Sequence, residues 1–171
     1  MPPWDFTRTA RVGLLAVSFA IRRADFGDPD LATFLRGHLD DMAPTAPPES
    51  RHALDFRGLN QSSVRMWTGH DGGALVATGA LAALDPLGLD EEVKSMRTHP
   101  DVRGRGVGRA MLTHLLRDAR ERGVQRLWLE TGSMAFFEPA RALYRGAGFT
   151  DCAPFGSYRP DPHSIFLTLA L

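Results

Sequence analysis

The chain has 171 residues, enough for one domain with a sizeable core, and its 20 acidic and 20 basic side chains give it no formal net charge. This balance argues against nucleic acid or an anionic membrane as a partner, because proteins that bind either carry an excess of basic residues. The single cysteine, Cys152, excludes an internal disulfide and fits a reducing, cytoplasmic compartment, and no apolar run reaches the roughly 20 residues of a membrane span.

The first 17 residues are expected to be an N-terminal extension, partly disordered or an over-long translation start, ahead of one domain from residue 18 to residue 171. The basic and then apolar residues from Arg8 to Ile21 loosely imitate a signal peptide, but no small-residue cleavage site follows them. The segment from Ala20 to Asp25 is instead predicted to be the opening strand of the domain.

The spacing of apolar residues predicts a first helix from Pro29 to Ala43, started at Asp28-Pro29. Prolines between Pro44 and Pro48 end it, and a polar stretch with an optional short helix follows. Next, Val64 to Thr68 and Ala74 to Ala82 are predicted strands of a hairpin, because Asp-Gly and Gly-Gly at the turn tolerate positive φ.

The central stretch reads as a strand, a glycine-rich turn and a helix. Val93 to Thr98 alternates like a strand, Pro100 interrupts it, and Arg103-Gly-Arg-Gly-Val-Gly108 leads into a helix whose apolar stripe runs to Ala119. The first turn of a helix has unpaired N–H groups, and glycines let a ligand approach the backbone closely. The pattern therefore predicts a site for a phosphate or pyrophosphate.

After a strand from Arg126 to Glu130 comes the segment Ala-Leu-Tyr-Arg-Gly-Ala-Gly-Phe149, and the chain ends in a long loop and a strand from Ile165 to Leu171. The predicted element order is β-α-(α)-β-β-β-α-β-α-β-β. The side chains of Asp151, Asp161 and His163 are expected at the surface.

The glycine-rich turn, Arg-x-x-Gly-x-Gly, together with the segment that contains Tyr144, resembles the GNAT superfamily of acyl-CoA-dependent N-acetyltransferases. The stretches "PPESRHALD" and "ETGS" are similar to small bacterial members of the YsnE type, which leaves the substrate open. The resemblance implies an α/β (α+β) fold, with a mixed, mostly antiparallel twisted sheet, a splayed β4/β5 pair and flanking helices.

The resemblance also implies a reaction, in which an acetyl group moves from acetyl-CoA to a primary amine of a small molecule, peptide or protein by direct attack in a ternary complex. The alternative is a non-catalytic module of the same fold that senses acyl-CoA. The implied CoA-binding residues are those of the glycine-rich turn and helix start, two positions of the central strand and one tyrosine: Arg103, Gly104, Arg105, Gly106, Val107, Gly108, Arg109, Met96, Thr98 and Tyr144.

Three catalytic roles follow from the same resemblance. The N–H of Met96 would polarise the thioester carbonyl, and Tyr144 would give a proton to the leaving sulfur. The amine also needs a base, and Glu92 is preferred because it lies nearest in the sequence to the acyl centre, with Glu130, His52 or a chain of water molecules as alternatives. The stretch after the first helix would contact the acceptor through Glu49, Ser50 and His52; the alternative is a solvated loop in which His52 is partly buried.

No metal is expected, because the six histidines form no i, i+4 pair on a helix and no Cys/His cluster exists. Cys152 is expected to be a small strand residue rather than a nucleophile. A homodimer is common for the fold that the resemblance implies, although the sequence leaves the oligomeric state undecided.

Overall fold

The computed structural model describes residues 19–45, 47–50 and 52–171, so the predicted N-terminal extension lies outside the described residues. The strands and helices follow one another in the predicted order. Their bounds are β1 (Phe19–Arg23), α1 (Pro29–Met42), α2 (Phe56–Leu59), β2 (Val64–Asp71), β3 (Ala74–Ala83), β4 (Asp90–Thr98), α3 (Val107–Glu121), β5 (Arg126–Gly132), α4 (Glu138–Gly146), β6 (Thr150–Asp151) and β7 (Ser164–Ala170).

Within the described residues, seven strands form one sheet in the order β1-β2-β3-β4-β5-β7-β6. Every neighbouring pair is antiparallel except β4 and β5, which are parallel and are joined by α3. This mixed, mostly antiparallel sheet with flanking helices confirms the predicted fold class.

The helices cover both faces of the sheet. Adjacent strand residues point to opposite faces, and Met66 packs with α1 and α2 while its neighbour Trp67 belongs to the core beneath α3 and α4. The larger core is centred on α3, whose buried residues are Val107, Met111, Leu112, Leu115, Leu116 and Ala119. None of the helices in the described part of the chain is long and apolar enough to cross a membrane.

Strand β2 is longer than the sequence predicts, because the hairpin turn is only two residues long. Gly72 and Gly73 both have positive φ, 58° and 90°, which is the geometry of a tight turn between twisted strands. His70 and Asp71 therefore belong to β2 rather than to the turn.

Strand β4 begins three residues before the predicted start at Val93, and two irregularities in it shape the centre of the molecule. In its register with β3, Lys94 pairs with Ala80 and Arg97 pairs with Thr78, so Ser95 and Met96 together oppose the single residue Gly79. Such a β-bulge bends a strand and redirects its side chains.

The second irregularity is the early end of the pairing between β4 and β5. Only three positions pair, from Asp90 with Arg126 to Glu92 with Trp128. Beyond them β4 continues beside β3 and β5 continues beside β7, so the two strands separate. This is the splayed pair that the predicted fold class includes.

Candidate active site

Two connected cavities lie at the splayed ends of β4 and β5. The larger, of about 800 Å³, is called the long groove and is lined by the end of β4, the glycine-rich turn, the start of α3 and one side of α4. The smaller, of about 100 Å³, is called the small pocket and lies between Val93–Met96 of β4 and Glu130–Gly132 of β5. Six residues line both cavities, so the cavities meet there: His38, Met42, Met96, Phe137, Ala140 and Tyr144.

The glycine-rich turn brings the start of α3 to the wall of the long groove. Gly104 and Gly106 have φ values of 76° and 83°, in the left-handed region where a side chain would be strained, and no atom lies within 4 Å of a Cβ added at either residue. Gly106 is the N-cap of α3, and the first turn of the helix contains no acidic residue. The unpaired N–H groups there keep their partial positive charge and favour an anion.

Gly108 has a different role, since it lets α3 approach β4 closely. A Cβ added there would lie 3.3 Å from Thr98 Oγ1 and 3.5 Å from Leu143 Cδ2. The residue therefore fixes the distance between the helix start, the end of β4 and α4.

The arginines of this region do not all face the groove. Arg103 and Arg109 line it, whereas Arg105 is absent from its wall, and its Nη2 lies 3.8 Å from Asp71 Oδ2 at the end of β2. Arg103 donates from Nε to the carbonyl of Thr98 at 3.2 Å, and its Nη2 lies 3.9 Å from Asp41 Oδ2.

The bulge in β4 is held in a strained conformation. Ser95 has φ 51°, the one positive φ of a non-glycine residue in the described part of the chain. Its carbonyl accepts a hydrogen bond from Thr78 Oγ1 at 2.9 Å. Gly79 makes room for the bulge, because a Cβ there would lie 3.0 Å from Met96 Sδ and 2.9 Å from Met111 Cγ.

Arg97 fixes α1 above the point where the cavities meet. Its guanidinium donates to the carbonyl of Phe34 at 2.6 Å and to Asp41 Oδ2 at 2.9 Å, and it lies over the Phe34 ring at 4.6 Å. His38 of the same helix lines both cavities, and burial, helped by the charge of Arg97, lowers its pKa to about 4. His38 is therefore a neutral wall residue at neutral pH.

Tyr144 projects from α4 into both cavities and is buried. Burial raises the pKa of its phenol well above 10, and the nearby charge of Glu130 raises it further. Among the described residues, no hydrogen-bond partner of the hydroxyl is found.

Glu92 lies outside the walls of both cavities. Its Oε1 accepts hydrogen bonds from Lys94 Nζ at 3.0 Å and from the Tyr158 hydroxyl at 2.6 Å. Lys94 Nζ also donates to Tyr158 at 2.7 Å and to the carbonyl of His52 at 3.1 Å. We call Glu92, Lys94, Tyr158 and His52 the lysine network. Through Lys94, this network connects β4 to the loop that contains His52 and to the loop that contains Tyr158.

Glu130, by contrast, faces the small pocket. Its Oε1 accepts a hydrogen bond from Ser164 Oγ at 2.7 Å. Burial raises the pKa of its carboxyl, against the smaller opposing effects of Ser164, His52 and Lys94. A carboxylate with a raised pKa beside a cavity is suited to accept a proton near neutral pH.

Most of the residues singled out in the sequence gather around these cavities. Every implied CoA-binding residue except Arg105 lines the long groove, and Ser50 and His52 line the small pocket. The side chain of Glu49 lies outside the described part of the structure. His163, which is expected at the surface, is partly exposed and lines the small pocket. The pocket also includes His38 and Lys94, which the sequence did not indicate.

Comparisons with known proteins agree with this arrangement. A sequence model of the acetyltransferase (GNAT) family matches residues 31–149. The uncharacterised N-acetyltransferase YedL of Escherichia coli K12 is 42% identical over 153 residues, which cover 90% of this chain and 95% of YedL. The uncharacterised N-acetyltransferase YsnE of Bacillus subtilis 168 is 41% identical over 151 residues, which cover 88% of this chain and 99% of YsnE. A solved structure of a proposed acyl-CoA N-acyltransferase from Klebsiella pneumoniae has a TM-score of 0.72 and 26% identity, over 90% of this chain and 98% of that chain.

Proposed function

The chain belongs to the GNAT family of acetyltransferases, and we propose that it moves an acetyl group from acetyl-CoA to a primary amine by direct attack in a ternary complex. One observation carries this proposal: the long, arginine-lined groove and the small pocket meet at the side chain of Tyr144. An acyl donor in the groove and an amine in the pocket would reach the same point.

The long groove fits the phosphate-bearing end of CoA. Gly104 and Gly106 leave the backbone open, Arg103 and Arg109 add positive charge, and α3 is a helix of 15 residues whose first N–H groups have no partner within the helix. The backbone from Gly104 to Arg109 would hold the pyrophosphate. CoA supplies the activated thioester.

The edge of β4 would align the pantetheine arm. His99 N donates to Val76 O at 2.8 Å, so the backbone groups of Thr98, one residue earlier, point away from β3 towards the splay. Arg103 already donates to that Thr98 carbonyl. We expect its guanidinium to turn towards the phosphates when CoA binds.

Met96 lies two residues before Thr98, in the bulge and at the junction of the cavities. Its N–H would donate to the thioester carbonyl and stabilise the negative charge that develops on the oxygen. One such donor is worth about 2.7–4 kcal/mol of activation free energy in known enzymes.

Tyr144 would act as the acid. Its raised pKa keeps the phenol protonated throughout the neutral range, so the proton is present when the sulfur leaves. An ordinary thiol has a pKa of about 8.5, and the thiolate that leaves in a buried site needs such a proton donor.

Geometry favours Glu130 over Glu92 as the group that takes the amine proton. Glu130 lines the small pocket, and burial raises its pKa towards the working range. Glu92 lines neither cavity, and Lys94 and Tyr158 already donate hydrogen bonds to its Oε1. Glu92 is therefore placed to organise the walls of the pocket rather than to reach the amine.

The test is the release of free thiol from acetyl-CoA in the presence of a panel of amines, amino acids and peptides. We expect release with at least one acceptor, and a kcat that is about 100-fold lower in Tyr144→Phe while the Kd for CoA, measured by calorimetry, changes less than twofold. Tight CoA binding without transfer to any acceptor would mean that the chain is a non-catalytic module that senses acyl-CoA rather than an enzyme. Absence of CoA binding would refute both.

A further inference from the structure

Two adjacent phenylalanines before α4 have different surroundings. Phe136 is 48% exposed and lines the long groove but not the small pocket. Phe137 is partly buried and lines both cavities, and its ring packs edge-on against Phe136 with 4.9 Å between centroids. Phe137 therefore forms part of the wall at the point where the acyl group would pass from the donor to the acceptor.

The end of β5 is shaped to receive the Phe137 ring. A Cβ added to Gly132 would overlap Cδ2 and Cε2 of that ring, although the backbone of Gly132 does not need a glycine for its φ. The absence of a side chain at Gly132 thus lets the ring lie directly against the strand. Interiors packed this closely resist changes in side-chain volume.

The segment that carries Phe137 is also held firmly. Arg141 Nη1 donates to the carbonyls of Gly132 at 2.6 Å and Met134 at 2.9 Å. Ser133 donates from its backbone N to the carbonyl of His163 at 2.9 Å and from Oγ to the carbonyl of Pro162 at 2.7 Å. A wall anchored on both sides cannot easily yield to a larger ligand.

From this arrangement we infer that Phe137 determines the length of acyl chain that the enzyme accepts and restricts it to short acyl-CoA thioesters. This inference rests on the proposed function. Carbon atoms beyond an acetyl group would extend from the junction either into the small pocket, whose 100 Å³ the amine needs, or against the fixed ring of Phe137. Removal of the ring opens space beside Gly132 for a longer chain.

The experiment compares acetyl-CoA with butyryl-CoA on the wild type, Phe137→Ala, Phe137→Leu and Phe136→Ala. Calorimetric Kd values are measured for both thioesters, because binding needs no acceptor, and thiol release is measured with any acceptor found in the screen. Circular dichroism checks that each variant is folded. Phe136→Ala is the matched control, since it removes the same ring from the neighbouring residue.

We expect the ratio of the butyryl-CoA Kd to the acetyl-CoA Kd to fall about tenfold in Phe137→Ala, because one or two methylene groups in a tight pocket change selectivity by about this factor. Phe137→Leu should show a smaller fall, and Phe136→Ala should leave the ratio within twofold of the wild type. Equal ratios in all four proteins, or an equal fall in both alanine variants, would overturn the inference. A wild type that already binds both thioesters equally would overturn it as well. A wild type that binds neither would instead count against the proposed function.

Discussion

The long groove and the small pocket share six residues, but their walls are formed by different kinds of groups. The wall of the groove includes left-handed glycines, a helix start and the edge of a strand, and its arginines come from β4, the glycine-rich turn and α3. The pocket is made of side chains from several elements, and the lysine network and the Glu130–Ser164 hydrogen bond hold those side chains in place.

This difference indicates how each cavity recognises its ligand. Backbone N–H groups bind any phosphate of suitable shape and depend on conformation rather than on side-chain identity. Side chains that are fixed by an ion-pair network depend on the identity of each member. Substitutions of the two kinds should therefore separate donor binding from acceptor binding.

The largest effect is expected in the chemistry of the small pocket. Glu130→Gln should lower kcat about 100-fold, because the amide cannot accept the amine proton. In the wild type, kcat/KM should fall as the pH drops through the pKa of Glu130, which burial holds above the ordinary value of 4.5, and this acidic limb should disappear in the variant. Steady-state kinetics from pH 5 to pH 9 measure both.

Glu92→Gln is the matched control for that prediction. Because Glu92 and Lys94 are almost fully buried, an uncompensated ammonium should lower the free energy of unfolding by about 3–5 kcal/mol, measured with urea. If Glu92→Gln lowers kcat as much as Glu130→Gln while it remains folded, the assignment of the base is reversed.

A smaller effect is expected at the backbone of the long groove. Gly106→Ala should weaken CoA binding about tenfold, because a methyl group at φ 83° costs about 1–3 kcal/mol and distorts the start of α3. Gly88→Ala, at φ 67° in the turn between β3 and β4, imposes comparable strain at a residue that lines neither cavity. Calorimetry should show weaker CoA binding only for Gly106→Ala; equal losses would mean that the loop conformation is not what binds the phosphates.

The smallest effect on the kinetics should come from Lys94 of the lysine network. Lys94→Met keeps the unbranched side chain as far as Cε but removes the hydrogen bonds to Glu92, Tyr158 and the His52 carbonyl. We expect the KM for the amine to rise severalfold while the Kd for CoA stays constant, because the pocket walls loosen and the groove does not. An unchanged amine KM with a weaker CoA affinity would contradict the separation of the two cavities.

Much of the fold could be predicted because its elements carry strong periodic patterns or turn residues. The same holds for the groove, whose glycines, arginines and strand end follow one another between Met96 and Arg109. Residues that are close in the sequence stay close in space there, so the anion site is visible in the sequence as a strand, a turn and a helix.

The small pocket could be predicted only in part, because it joins residues that are far apart in the chain. Proximity to Met96 in the sequence favours Glu92 as the base, whereas in the structure Glu92 is the last residue of β4 that pairs with β5 and it lines neither cavity. Lys94, two residues later on the same strand, was the available signal that Glu92 has a charged partner. Tyr158 lies in a loop without a periodic pattern, so nothing in the sequence placed it in this network.

The bulge at Ser95 places a trade-off between stability and activity at a single residue. A non-glycine residue at φ 51° costs about 1–3 kcal/mol, which is a sizeable part of the 5–15 kcal/mol that keeps a typical domain folded. Selection for heat resistance alone would thus favour sequences that relax this bend and realign Met96 with β3. If natural variants keep the bulge, this would indicate selection for catalytic turnover. If some variants lose it, we expect those proteins to keep the fold but to lose the acetyltransferase activity.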